Sequence, residues 1–379
     1  MLLSENPAVF NKSYRAARAM FREGKNPLAE MSNSETLSVN STRTVARPVR
    51  ENAKGLSFGI ELEYNSDRRE RAFGEAMFEK GYLRSARKAG YHSEREEMNR
   101  WRWESDCTVS GEVISPPLKD NSANWGNLKD VLGLMSTHLD ATVASNVGSH
   151  VHIDVNDLTA NDWFRLALII SRFEDVIARL SANPQMRRGE VNTGEGQQPL
   201  PFIRSRYGRV GGSVLFSHFG DSNGVDLLTT DNNGDSILSH RPSSANQVFY
   251  SARSWMLGTG YITSENQNKH LEFRCWDGSL DFNLIELQVK ISAAIVARAM
   301  DASTTSKLAG LNPCPVGFHR NKRREWTRNE EGRTSVRRNL RGDLWREDTL
   351  RFRQFVDFLF DSDKDKAALV SLYAMTNWR

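Results

Sequence analysis

Cysteine is scarce in this chain: Cys107, Cys275 and Cys314 are the three among 379 residues. Set so far apart, they form neither a disulfide framework nor the paired spacing of a thiolate metal site, and they fit a reducing compartment. Long apolar runs are lacking too. The best candidate, residues 166–180, is broken by Arg172, Glu174, Asp175 and Arg179, short of the ~18 apolar residues that span a bilayer. The start of the chain meets acid and proline too early for a secretory signal, so the expected location is cytoplasmic. Net charge is only +4, too weak by itself to argue for nucleic acid. Neither a GxxxxGK[ST] loop, nor GxGxxG before a helix, nor a GxSxG elbow occurs. That excludes a Walker-type phosphate cradle, a dinucleotide fingerprint and a hydrolase elbow.

What remains is ordinary in bulk, with 39% apolar and 26% charged residues, enough for one large core or two modest ones. The order of elements is more informative. Residues 1–54 read as a polar extension, partly disordered, with one short helix at 13–23. A strand is expected at 56–64, a helix near 70–89, and two strands with a turn within 101–120. A helix at 124–140 leads to a strand inside 141–155. The clearest helix is 161–181, apolar at Leu166, Ile169, Ile170, Phe173, Ile177 and Leu180, with Asn161 and Asp162 as caps. Residues 185–246, rich in Gly, Ser, Asn and Asp, suit active-site loops. A strand at 268–276 and a long helix at 282–309 follow. Beyond residue 310 the chain is basic and mainly helical, with a helix at 344–359. There is no internal repeat. Consecutive strands and one-sided helices predict an α+β fold whose mainly antiparallel sheet carries the chemistry on its open face.

Charged pairs two residues apart recur inside apolar strand-like runs: Glu61 and Glu63 in FGIELEY, His150 and His152 in GSHVHIDV, Glu272 and Arg274 in HLEFRCW. Strand alternation sends each pair to one face, with Ile60, Leu62, Tyr64, Val151, Ile153, Val155, Leu271, Phe273 and Cys275 on the other. On an exposed strand Glu61 and Glu63 would be a solvated face, and Glu272 and Arg274 a salt bridge. Two like charges on a central strand instead call for a cation between them. Magnesium or manganese suits carboxylates beside one imidazole; zinc would want a third nitrogen or sulfur ligand, which neither Cys107 nor Cys275 offers. Glu112, after a glycine in SGEVISPPL, is another acid of this kind, and Asp106 is either a turn former or a contact for a substrate amine. Arg274 suits a phosphoryl group, with Arg253 and Lys269 as further phosphate contacts.

The succession GIELEY, DCTVSGEVISPPL, GSHVHID, and LEFR followed by DGSLD resembles the amidoligase family over residues 55–309. That family consists of carboxylate–amine ligases grouped with the glutamine synthetase fold, which implies a curved sheet with helices packed behind it. The resemblance implies Glu61, Glu63, Glu112, His150 and Glu272 as ligands to divalent ions, and His152 near the nucleotide. It implies Arg274 on phosphate and Arg187 or Arg188 facing substrate; the residues expected to be catalytic are Arg274, Glu63 and Asp106. The activity it implies uses ATP with Mg²⁺ or Mn²⁺ to join a carboxylate to an amine of amino-acid or peptide substrates through an acyl phosphate.

Two other functions fit the same residues. One is a metal-dependent hydrolase or phosphotransferase on the acidic face. The other is a non-catalytic binding or assembly protein that retains the ligase sheet. In the latter, residues 319–341, arginines interleaved with Trp326, would meet nucleic acid; Glu325, Glu330 and Glu331 interrupt the run and favour a solvated tail.

Overall fold

The structure is a computed structural model. It describes residues 2–30, 56–67, 70–91, 99–143, 147–181, 183–184, 257–258, 270–311 and 349–376. The expected residues Arg187, Arg188, Arg253 and Lys269, the 185–246 loops and the basic run 319–341 lie outside these.

FGIELEY forms strand β1 (Phe58–Tyr64), with Phe58, Ile60, Leu62 and Tyr64 buried on one face. The stretch expected to hold two strands does so, as β2 (Arg102–Glu104) and β3 (Gly111–Ile114). The histidine strand is β4 (Gly148–Asp154), and HLEFRCWD is β6 (His270–Asp277), flanked by the two-residue β5 (Leu257–Gly258). These make a six-stranded sheet in the order β2-β3-β1-β4-β6-β5. Its pairings are antiparallel, as expected for the α+β class.

Helices cover the apolar face. Helix α2 (Arg71–Glu79) sets Phe73 edge-on to Trp103, with ring centroids 5.2 Å apart. It ends ten residues before the expected 89, because Gly81 takes the left-handed conformation (φ 75°). The following chain then turns to bond β2, Ala89 donating its N–H to Trp103 O at 2.9 Å. Helix α3 (Ser122–Leu134) is capped by Asn121 and continues through one π-helical turn to Leu139; its Trp125 stacks on Phe58 at 4.8 Å. Helix α4 (Ala160–Leu180) starts at Thr159, which forms a capping box with Asp162, so Asp162 caps in a role reciprocal to Thr159 rather than alone.

Helix α5 (Phe282–Met300) lies against β4 and is buried along almost its whole length, with Glu286, Lys290 and Arg298 paired inside. The expected helix 282–309 breaks at Asp301, whose backbone is extended and whose carboxylate caps Ser303; α6 (Thr304–Leu308) resumes it. Behind these, α7 (Thr349–Leu359) packs on α4 through Phe173 and Phe355, centroids 5.0 Å apart, and α8 (Asp363–Met375) on α7 through Phe352 and Tyr373 at 3.8 Å. Each fully buried aromatic or aliphatic side chain of this kind contributes about 1.5–3 kcal/mol.

The N-terminal helix is longer than the expected 13–23. Asn6 caps it and Pro7 opens it, giving α1 (Pro7–Arg22). It lies along α8, with Phe10 against Phe352 and Tyr373. Leu3, Phe10 and Leu28 share the core with the sheet residues.

Candidate metal and ligand site on the open face

Register builds the site. Glu61 faces His150 across β1 and β4, Glu63 faces Glu112 across β1 and β3, and Glu104 faces Glu112 across β2 and β3. On the other side His152 faces Glu272, and a bulge between Ser149 and Val151 sets His150 opposite the Arg274–Cys275 step. Five strands thus deliver Glu61, Glu63, Glu104, Glu112, His150, His152, Glu272 and Arg274 to one surface. Cys275 and Trp276 both turn inward at the bulge, and the Trp276 indole N–H donates to Ser292 of α5 at 3.1 Å.

Glu61, His152 and Glu272 each offer one ligand atom within 4.8 Å of the others, a spacing that fits a single divalent ion. His152 Nε2 stands 3.1 Å from Glu61 Oε1. His150 occupies a different place. Its Nδ1 lies 2.6 Å from Glu61 Oε2 and 3.1 Å from Glu272 Oε1, and its Nε2 lies 3.6 Å from Glu63 Oε1. The trio contains His152, the histidine expected near the nucleotide, while His150, expected on the metal, lies against the same two carboxylates. Burial opposes charge on His150, yet its bonds to Glu272 and Glu61 outweigh burial and push its pKa up to about 10.

The carboxylates divide accordingly. Burial alone would raise Glu61, but the charges and hydrogen bonds of His152 and His150 hold it well below the usual range. Glu272 is likewise lowered against burial by His150 and Arg274, and its carboxylate is ion-paired with the Arg274 guanidinium. Glu112 goes the other way, pushed up to about 8 by burial and by the charge of Glu61. Glu63 accepts the Gly148 backbone N–H at 2.5 Å through Oε2.

Asp106 takes the turn-forming role of its two alternatives. Its Oδ1 accepts from the Thr108 N–H and hydroxyl, both at 2.6 Å, and from the Val109 N–H at 3.1 Å. Two residues of the face had escaped notice. Glu104, fully buried, accepts from Arg102 at 3.0 Å, and His270 sets its ring edge-on to His152 at 4.9 Å. Both obey the two-apart rule that flagged the others: Arg102 and Glu104 in RWE, and His270 ahead of Glu272 and Arg274.

Residues 54–191 match the family model described as "Putative amidoligase enzyme". This is the family that the motif order resembles. The matched stretch carries Glu61, Glu63, Glu104, Glu112, His150 and His152, and ends before Glu272 and Arg274. It supports a ligase-type enzyme acting on amino-acid or peptide carboxylates and amines at that coarse level. No curated protein matches the chain. Among the described residues, no helix is long and apolar enough to cross a membrane.

Proposed function

We propose that the chain is an ATP- and divalent-cation-dependent carboxylate–amine ligase with a glutamine synthetase-like sheet. The observation that carries this reading is the convergence of Glu61, His152 and Glu272 beside Arg274 on one sheet face. Those three residues would hold one Mg²⁺ or Mn²⁺. Bound ions supply charge neutralisation for the phosphoryl oxygens.

The residues account for the rest. A carboxylate is a poor electrophile, so one of its oxygens attacks the γ-phosphorus of ATP, the bond to the bridging oxygen breaks, and ADP leaves. The amine then attacks the acyl carbon, phosphate leaves with the bonding pair, and the amine gives up a proton. Arg274, a planar guanidinium next to the trio, is placed to neutralise the charge that gathers during phosphoryl transfer. His150, buried between Glu61 and Glu272, orients both carboxylates through its Nδ1 contacts.

The test is phosphate release from MgATP with and without a panel of amines. The ligase reading expects release that depends on both a carboxylate and an amine, and its loss in Glu61→Ala and Glu272→Ala. Release that ignores the amine favours the hydrolase or phosphotransferase reading. Turnover unchanged in both variants contradicts any use of this face.

A further inference from the structure

The open face is accessible at one end. Glu63, Glu104, Glu112, His150 and Glu272 are buried, whereas Gly59, Glu61, His152, Asp154, His270 and Arg274 are half-buried. A ligand therefore meets the face over the Gly59 end of β1.

Two lateral rows define that end. In the first, the register runs Gly59, His152, Glu272, Gly258, so the histidine–glutamate pair is flanked on both sides by positions without a side chain. A Cβ at Gly59 would meet His152 Cβ at 3.6 Å and Ser115 Oγ at 3.8 Å, ordinary contact, so the glycine leaves that strip beside His152 one side chain lower than its neighbours. Glycine inside a strand marks a place where a ligand or another backbone approaches closely. The second row is Ser57, Asp154 and His270. Ser57 donates its hydroxyl to Asp154 Oδ2 at 3.3 Å, Asp154 pairs with His270 across the ladder, and the His270 ring braces His152.

The two ends of this accessible surface differ in chemistry. Arg274 and the cation trio suit an anion. Asp154 repels phosphate and accepts hydrogen bonds; Oδ1 already takes the Asn156 N–H at 3.0 Å and side-chain amide at 2.8 Å, while Oδ2 retains acceptor capacity beyond Ser57. From His270 to Arg274 the strand advances four residues, about 13 Å. A ligand that lies along it is anionic at one end and hydroxylated at the other.

We propose that Gly59 is the floor of the sugar subsite for a nucleoside triphosphate, with Asp154, supported by Ser57, accepting the ribose hydroxyls and His270 positioning His152 at its edge. This rests on the ligase reading, and names residues that the family resemblance does not assign.

Calorimetric titration of the full chain with the magnesium complexes of ATP, 2′,3′-dideoxy-ATP and inorganic tripolyphosphate tests it. Wild-type protein is expected to bind ATP about tenfold tighter than the dideoxy analogue, the worth of roughly one to two hydrogen bonds. Asp154→Ala removes both acceptor oxygens and should bind both alike. Gly59→Val adds a residue favoured in strands, so the fold stands; it should weaken ATP by at least about tenfold and leave tripolyphosphate unchanged. The inference is overturned if wild type ignores the hydroxyls, if Asp154→Ala still prefers ATP, or if Gly59→Val binds ATP normally, and in each case the ligase reading survives. Wild-type protein that binds neither ATP nor tripolyphosphate overturns both.

Discussion

Burial and the charge of Glu61 raise the pKa of Glu112, and bonds to Glu272 and Glu61 raise that of His150 against its burial. Glu112 ordinarily titrates at 4.5 and here at about 8; His150 moves from 6.5 to about 10. Between each pair of values the folded chain keeps a proton that the unfolded chain has released, so stability falls as pH rises through those windows. Glu61 and Glu272, held low, contribute in the opposite sense, and that contribution is lost only as pH falls below the ordinary carboxylate value. Metal-free protein is therefore expected to lose thermal stability between about pH 6 and about pH 9. Glu112→Gln should flatten the part of that loss below about pH 8. Melting curves across this range check it; a level midpoint contradicts the charge assignment.

Gly111, the residue before Glu112, gives a steric prediction. A Cβ there would stand 2.7 Å from Lys88 Cε and Nζ and 2.8 Å from the Glu104 carbonyl oxygen. Lys88 cannot simply swing aside, since its ammonium bonds Glu70 at 2.7 Å and the Ser110 carbonyl at 2.5 Å, above the rings of Tyr64 and Trp103. Gly111→Ala should cost about 1–3 kcal/mol by denaturant unfolding. An unchanged midpoint would show that Lys88 yields freely.

Among elements, strands whose alternation was strict were legible in the sequence. GIELEY, GSHVHID and HLEFRCW fall on strands within two residues of expectation, because a period of two with apolar residues on one side admits few alternatives. The metal trio was not fully legible. Which imidazole meets which carboxylate depends on lateral register and on the bulge at His150, both fixed by neighbouring strands. Glu104 was missed because β2 is only three residues long, too short to show its period. Helix ends failed where tertiary bonding intervened, at Gly81 and at Asp301. The start of α4 shows the cost of a cap: Asp162 is wholly buried, bonds the Thr159 hydroxyl and N–H at 2.7 Å, and is ion-paired with Arg165. Asp162→Ala strands that guanidinium and should lower unfolding free energy by about 3 kcal/mol. Magnesium binding at the sheet, measured well below the melting transition, should be unaffected.

At the scale of the molecule, the two ends of the chain are joined. The Asp357 carboxylate of α7 accepts the Leu3 N–H at 2.9 Å and the Ser4 N–H and hydroxyl at 2.7 Å, and bonds Lys366 at 3.1 Å. Arg18 of α1 and Arg179 of α4 both donate to carbonyls at the end of α8, where cations meet the negative end of the helix dipole. Deleting residues 1–30 would uncover Phe352 and Tyr373, and should lower the melting temperature by several degrees, at roughly 1–2 °C for each kcal/mol lost in a chain of this size. Retained stability would show that α1 is dispensable.

The account turns on whether the acids, imidazoles and guanidinium of this one sheet face hold a divalent ion beside a nucleotide. Crystals soaked with Mn²⁺ and a non-hydrolysable ATP analogue answer this directly through anomalous scattering. A manganese peak coordinated by Glu61, His152 and Glu272, with a phosphate oxygen in its shell and Arg274 beside it, is the predicted result. Manganese and nucleotide bound elsewhere, with that face holding only water, would contradict it.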